Sequence, residues 1–537
     1  MSIASEWCSN FDNVTSVRSN YDIEFNRLNK YLSPSSVKFF QSKNGDGNVN
    51  RLEIFDGTPE RASDDLASSL LGMLLNPLQD KFSLVPANKE LRDSKIHKDQ
   101  LIKAKNWIVD HLSRADTSFM KAMSSVLQNV VNYGDGPFFI YRDKKKKLVK
   151  FAALPKQEVY FQRDMYGVII NYYREIYMTP IQLKREFEAA GGDGNARYWK
   201  EINEKINTDP NDERKVINIV FERDDYKTRT LNVAEKKYAS LWIDYDHKVL
   251  LKESGYDYFP FFAPAWRLSP GEDYGRGPGH RALPDIITLN LMEKNNLAAA
   301  EVMIKPPLIM PYDIMEDDVD LSPAAINYIQ LSRAMFGTQF IKPEPLNVIQ
   351  DLPISVQMQD RKRNLILLAF YNDLLQDDKR VEQSATESNN RMMSNIRKFS
   401  GPFSNLENDL LQAVIKEVYQ AGIEFGEIEV DSELKDVNVA FTTAMYEAQQ
   451  QMRLQALQAA GTILTQFFAG GIQIPGIKQE LLAEYVFKAT GADSNLLEDP
   501  EVARQQLEQQ RQVQQDSVDT RSFKDVASGL KDIQQIV

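Results

Sequence analysis

Apolar residues return at helical spacing through the first part of the chain. Leu66, Leu70 and Leu74 stand four apart, and Leu101, Ala104, Ile108 and Leu112 follow at steps of three and four. The pattern predicts helices from Val14 to about Val131. Beyond Gly134 and Gly136 it gives way to short β-branched and aromatic runs: Phe138–Tyr141, Leu148–Ala153, Val159–Gln162 and Val168–Ile176. Charged or Gly-containing turns separate them, which predicts an antiparallel meander. Further strands are expected at Val216–Glu222 and Leu241–Leu251, and the Pro-punctuated stretch Tyr256–Trp266 closes the region. The first half therefore reads as α+β.

After Gly275-Arg276-Gly277-Pro278-Gly279 the helical period resumes, with Leu289, Met292, Ala299 and Met303 on one face until Pro306-Pro307 stops it. Leu308–Leu352 holds an acidic turn (Asp313, Glu316, Asp317, Asp318, Asp320), a short helix starting at Ser322-Pro323 and an extended piece rich in Pro. It reads as a small α/β insertion. A second helix, about Gln357–Leu375, carries Leu365, Leu368 and Leu375, and the polar run Asp377, Asp378, Lys379, Arg380 and Glu382 then predicts a loop. Ala385–Lys398 is helical in pattern, Gly401-Pro402 predicts a break, and Ser404 with Glu407 spells a capping box for a helix to about Gly422. Together they predict a long kinked helix. From Met445 the chain is rich in Gln and Ala, and it ends on an amphipathic stripe of Phe523, Val526, Leu530, Ile533 and Val537.

Composition narrows the function more than the fold. At 537 residues, with 42% hydrophobic and 26% charged positions, the chain is long enough for three or four folded domains. Its net charge of −12 excludes a general nucleic-acid coat, so any contact with DNA has to be local or geometric. The single cysteine, Cys8, and four histidines exclude a disulfide framework and Cys/His zinc clusters, and suit a reducing compartment. The densest apolar run, Leu70–Leu75 with Leu78, is interrupted by Gly72, Asn76 and Pro77, so no membrane partner is expected. The polar, acidic start from Met1 to Asn13 does not read as a signal peptide.

Catalytic motifs are missing. There is no phosphate loop, zincin motif or nucleophile elbow in the sequence. The spacing of Gly275, Gly277 and Gly279 does not fit a dinucleotide fingerprint and reads instead as a turn that redirects the chain. Asp313–Asp320 lacks the glycine and terminal glutamate of a calcium loop, which leaves a solvated acidic turn. Lys144–Lys147 reads either as a phosphate contact or as a charged hairpin tip, the commoner use of such a run. His280 reads as a capping or core residue in preference to a catalytic one. No enzyme, metal or cofactor is expected.

Several stretches resemble the head-to-tail connector, or portal, proteins of short-tailed bacteriophages: Asp56-Gly57-Thr58 through Arg61-Ala62 to Leu70, Val130-Val131-Asn132-Tyr133-Gly134, and Phe161 to Gly167. Trp266-Arg267 with Glu272-Asp273-Tyr274-Gly275-Arg276-Gly277-Pro278 is the most specific, similar to that family's Tyr-Gly-Arg turn ahead of its stem helix. The resemblance implies a portal fold in which residues 1–282 form an α/β wing. It places stem helices at 283–304 and 357–375, a small α/β clip at 305–356, a channel loop and kinked wing helix at 376–440, and a helical C-terminal crown at 441–537. It also implies a ring of about twelve copies at one capsid vertex of the virion. That ring, assembled in the host cytoplasm, conducts double-stranded DNA into and out of the head. Implied partners are the major capsid and scaffolding proteins, the terminase packaging motor and a tail adaptor protein.

Helix packing tests the implied channel. Twelve helices side by side at about 10 Å have a ring radius near 19 Å and leave a bore of roughly 28 Å. A duplex about 20 Å wide passes with room for water. Fixed phosphate contacts would trap moving DNA, so an acidic bore with a few mobile cations is the arrangement to expect. This singles out Asp378, Lys379, Arg380, Glu382 and Gln383 as the channel loop, with Arg391, Arg397 and Lys398 as further DNA contacts. Leu289, Met292, Ala299, Met303, Leu365 and Leu368 are the expected stem-packing residues. Two rival readings are a helical scaffold or adaptor without a DNA channel, which the absence of a duplex-wide bore would mark, and a cytoplasmic oligomeric α+β enzyme, which needs titratable groups converging in a pocket.

Overall fold

The protein's structure is a computed structural model that describes residues 3–34, 53–75, 82–88, 91–92, 94–188, 196–225, 235–304, 308–309, 335–336, 339–340, 344–345, 352–372 and 401–441. The chain opens with a long helix, α1 (Ile3–Leu32), followed by α2 (Thr58–Leu75) and a short strand, β1 (Phe82–Pro86). Two more helices follow, α3 (Lys95–Ser113) and α4 (Phe119–Tyr133). Leu66, Leu70 and Leu74 and the Leu101–Leu112 series are buried, as their spacing requires, in a core that also takes Val126, Leu127, Val130 and Val131 of α4. Glycine ends α4: Gly134 adopts φ +87° and its N–H donates to Val130 O at 3.0 Å.

The β region divides into two sheets. β2 (Phe138–Asp143), β3 (Leu148–Ala153) and the short β9 (Phe261–Phe262) form one, in the order β3-β2-β9. The other is a true antiparallel meander of β4 (Val159–Arg163), β5 (Ile169–Met178), β6 (Arg214–Glu222), β7 (Tyr238–Asp244) and β8 (Val249–Tyr256), each pairing with the next. Leu241–Leu251, which the apolar pattern makes one strand, is a hairpin. Residues 245–248 turn the chain, Lys248 takes φ +52° and the His247 N–H donates to Asp244 Oδ1 at 2.9 Å. Between β5 and β6 lie α5 (Pro180–Phe187) and α6 (Ala196–Thr208), which the strand pattern did not predict. Thr179 and Gln182 form a reciprocal capping box at the start of α5, and Leu183 and Phe187 seat it against Tyr198 and Ile202 of α6.

The second long helix, α7 (Pro278–Ile304), starts five residues before the expected Leu283 and carries Pro284 inside it. Two small two-stranded sheets follow: β10 (Leu308–Ile309) pairs with β13 (Glu344–Pro345), and β11 (Met335–Phe336) with β12 (Gln339–Phe340). Next, α8 (Leu352–Ala369) replaces the expected 357–375 helix; it starts earlier and stops at Ala369, where Tyr371 takes φ +58°. The predicted break at Gly401-Pro402 borders residues outside the described ones. Residues 401–406 are already helical, so Ser404 is interior and caps nothing. The irregularity among the described residues is a π turn, Glu407–Gln412, which inserts a residue into the ladder before α9 (Ala413–Glu424). The last described element is β14 (Val437–Phe441), which pairs antiparallel with β1, the strand that interrupts the N-terminal helical region predicted from periodicity.

Candidate functional site

α7 and α8 form the candidate stem, and a dense set of contacts builds its root. α7 and α8 pack side by side through Leu289 and Ile286 on one helix and Ile366 and Phe370 at the other's C-terminal end. Polar contacts fix their register. Lys362 Nζ donates to Asp285 Oδ1 at 2.6 Å, Ser355 Oγ to Asn296 Oδ1 at 2.7 Å, and Arg363 pairs with Glu293. Arg363 also reaches Asp56 Oδ2 at 2.9 Å, and Asp56 Oδ1 accepts the Thr58 N–H at 2.7 Å at the start of α2. One carboxylate thereby caps α2 and ties it to the stem, and the bonds hold that carboxyl below the usual range despite its partial burial.

At the root, the turn Tyr274–Gly277 lies backbone to backbone against the C-terminal end of α4. A methyl group on Gly275 would stand 2.5 Å from Gly134 O, one on Gly277 2.6 Å from Val130 O, and one on Gly279 2.5 Å from Asn132 O. The glycine triplet is therefore a close-approach device. His280 acts as a cap: its Nδ1 accepts the Gly277 N–H at 3.2 Å, and burial pushes its pKa down to about 4.

Beneath the turn is a buried knot of charge. Asp135, fully buried, accepts from Lys156 Nζ on one oxygen and from the Gly275 N–H at 3.2 Å on the other. Lys156 is buried too, with its ammonium 4.5 Å from the centre of the Tyr274 ring. Burial pulls the Lys156 pKa down while Asp135 opposes that shift. The Arg18 guanidinium covers the same Tyr274 ring at 4.7 Å and donates to Val159 O at 2.8 Å and Lys156 O at 3.0 Å. Arg163 donates to Asp273 O, Gly167 O and Ala263 O, each at 2.8 Å.

The sequence stretches singled out for their resemblance converge here. Asp56 holds the stem, Val130–Gly134 backs the turn, Phe161 packs on Tyr274 at 4.8 Å between ring centres, and Arg163, itself bonded to Gly167 O, braces Asp273. Tyr274, Gly275 and Gly277 are buried, and Arg276 is exposed and paired with Glu272 at 3.0 Å.

The expected stem-packing residues fall into two groups. Leu289 is buried, and Met292 and Ala299 are half-buried. Met303, Leu365 and Leu368 are exposed, at 53%, 38% and 52%, while Ile366 and Phe370 are the buried residues at the C-terminal end of α8. The channel-loop residues Asp378, Lys379, Arg380, Glu382 and Gln383, and Arg391, Arg397 and Lys398, lie outside the described residues, as do the acidic turn, the Gln/Ala-rich stretch and the terminal stripe. The lysine run is a hairpin tip between β2 and β3 whose charges face glutamates. Lys147 meets Glu427 at 2.6 Å, Lys144 pairs with Glu424, and Arg142 behind them bonds Glu417 and Glu424. Among the described residues no group of three or more His, Cys, Asp or Glu is placed to hold a metal ion, and no helix is long and apolar enough to cross a membrane.

A sequence family described as bacteriophage head to tail connecting protein matches residues 4–497. The chain belongs to that family. Its curated relatives include a probable portal protein of Bordetella phage BPP-1, 23% identical over 89% of this chain and 84% of that protein. A portal protein of Salmonella phage epsilon15 is 22% identical over 66% of this chain and 63% of its own length. Among solved structures, a chain from the neck of an empty GTA particle computed with C6 symmetry is similar at 11% identity, covering 80% of this chain and 90% of that one with a TM-score of 0.38; this slight likeness adds nothing to the assignment. The connector family gives the constructed root and paired helices their context: a structural portal protein of the phage head-to-tail junction, with the α+β fold that the sequence predicts.

Proposed function

We propose that this connector subunit closes into a ring of about twelve copies whose paired helices α7 and α8 line a channel for double-stranded DNA. The observation that supports it is the apolar surface left open on the stem. With Leu289, Ile366 and Phe370 used inside the chain, Leu291, Leu297, Met303, Leu365 and Leu368 stay exposed on the same two helices. A lone surface leucine means little, but several on one helix pair call for cover, and neighbouring copies of the same pair supply it. In this reading the residues before α7 are the wing, α7 and α8 the stem, residues 305–351 the clip that meets the terminase motor and the tail adaptor, and 441–537 the crown. The wing faces the capsid and scaffolding proteins. The role is structural, with no catalytic step.

The net charge of −12 suits a passage that DNA slides through without sticking. In the 376–383 loop, Lys379 and Arg380 supply the few mobile cations that check DNA, with Arg391, Arg397 and Lys398 behind them. A packaging assay tests this. Lys379→Glu with Arg380→Glu should leave rings intact and DNA entry normal while lowering retention of packaged DNA; unchanged retention would remove the loop from the account.

A further inference from the structure

α1 joins two cores. Its N-terminal half, through Ala4, Cys8, Phe11 and Val14, packs on Tyr173, Ile217, Ile219, Leu241 and Ile243 of the five-stranded sheet, and Trp7 stacks on Phe221 at 4.1 Å. Its C-terminal half, through Phe25, Leu28 and Leu32, belongs to the main core. There Asn29 Oδ1 accepts from the Tyr133 hydroxyl at 2.7 Å, and Leu32 lies against Gly279 at the start of α7. Trp7 and Asn29 are about 33 Å apart along a helix rising 1.5 Å per residue. Between them sits Arg18, buried, bonded to Val159 O and Lys156 O at the start of β4, to Asp22 at 2.7 Å, and lying over the ring of Tyr274. A buried guanidinium is costly unless every donor is engaged, so this contact resists sliding.

We propose that α1 is a lever linking the five-stranded sheet to the stem root, with Arg18 and the Asp135–Lys156 pair as its pivot. A displacement of the sheet turns the rod about Arg18 and shifts its far end, where Phe25 lies 6.0 Å from Tyr274 between ring centres and Leu32 lies against Gly279, and with it the glycine turn from which α7 springs. Because Gly134 and Gly275 are in backbone contact, the turn cannot absorb the movement locally and passes it to the helix. The inference concerns a single chain and does not depend on the ring.

Hydrogen-exchange mass spectrometry on the full chain tests it. Trp7→Ala, at the sheet end, should raise exchange of the root segment 270–282 about tenfold relative to β1 and β14, and Asp135→Asn should reciprocally raise exchange at residues 3–14. Glycine at the exposed positions Ser16 and Asn20 softens the rod and should abolish both remote effects. Effects confined to the mutated end would overturn the lever. So would a root response that survives the glycine changes, which would route transmission through β4 and Arg163. Should Trp7→Ala fail to fold, Trp7→Phe keeps a ring on Phe221 and is read in the same way.

Discussion

The close approach at the stem root gives the sharpest test of the packing. Gly275 has no left-handed backbone to explain it, so space alone demands glycine there. A methyl group would lie 2.5 Å from Gly134 O, 3.0 Å from Ala265 Cβ and 3.1 Å from Gly134 C. The nearest of these is backbone, so no rotamer change relieves the contact. The turn must withdraw by most of an ångström and stretch the Gly275 N–H bond to Asp135, now 3.2 Å. Overpacking of this kind costs about 1–3 kcal/mol, and weakening a hydrogen bond to a buried carboxylate adds about 1. Gly275→Ala should therefore destabilise by about 2–4 kcal/mol, a large share of the 5–15 typical of a folded domain. Gly72→Ala is the control: nothing lies within 4 Å of its new methyl, and in the last turn of α2 the change should stabilise by up to about 0.5–1 kcal/mol. Denaturant midpoints at one fixed protomer concentration rank the two variants. If Gly275→Ala unfolds within 0.5 kcal/mol of the parent, a tolerance about that of an ordinary surface substitution, the account of the root is wrong.

Other outcomes follow from the same contacts. His280 has a folded pKa near 4 against an unfolded 6.5, so the unfolded chain binds the proton first; stability should fall by up to about 3 kcal/mol as pH drops from 6.5 towards 4, and His280→Asn should flatten that slope in a pH series of denaturation curves. Arg142→Met strands the buried Glu417 carboxylate and should cost about 3–5 kcal/mol, with Arg142→Met/Glu417→Leu regaining most of it in the same assay. Arg363→Met cuts the ties to Asp56, Glu293 and Asp360; with that side chain a third exposed, about 1–2 kcal/mol is expected, seen as faster exchange along α8. Leu365→Ser with Leu368→Ser should leave the chain's own fold intact and lower the yield of rings by size-exclusion chromatography.

What the sequence showed depended on how local the signal was. β2 and β3 are legible because each is a short aromatic or β-branched run bounded by charged or glycine turns. β1 and β14 are not, since each is five residues long and is a strand only because the other lies beside it, far along the chain. The capping box of α5 was a readable sign that strand propensity on both sides obscured. On α8, leucines at 365 and 368 drew the eye while Ile366 and Phe370 make the inward face, because a helix apolar on more than one side does not say which side faces its own chain. The glycine turn before α7 was recognisable by resemblance, but the knot under it was not. Arg18, Asp135 and Lys156 are far apart in sequence, and each looks like an ordinary surface charge until burial brings them together.

The central claim is a ring with a duplex-wide hole, and cryo electron microscopy of the purified protein tests it most directly. Top views should show closed rings of about twelve subunits with a bore of roughly 25–35 Å set by helix packing. Monomers, dimers or open chains without a hole across a range of salt and protein concentration would contradict it.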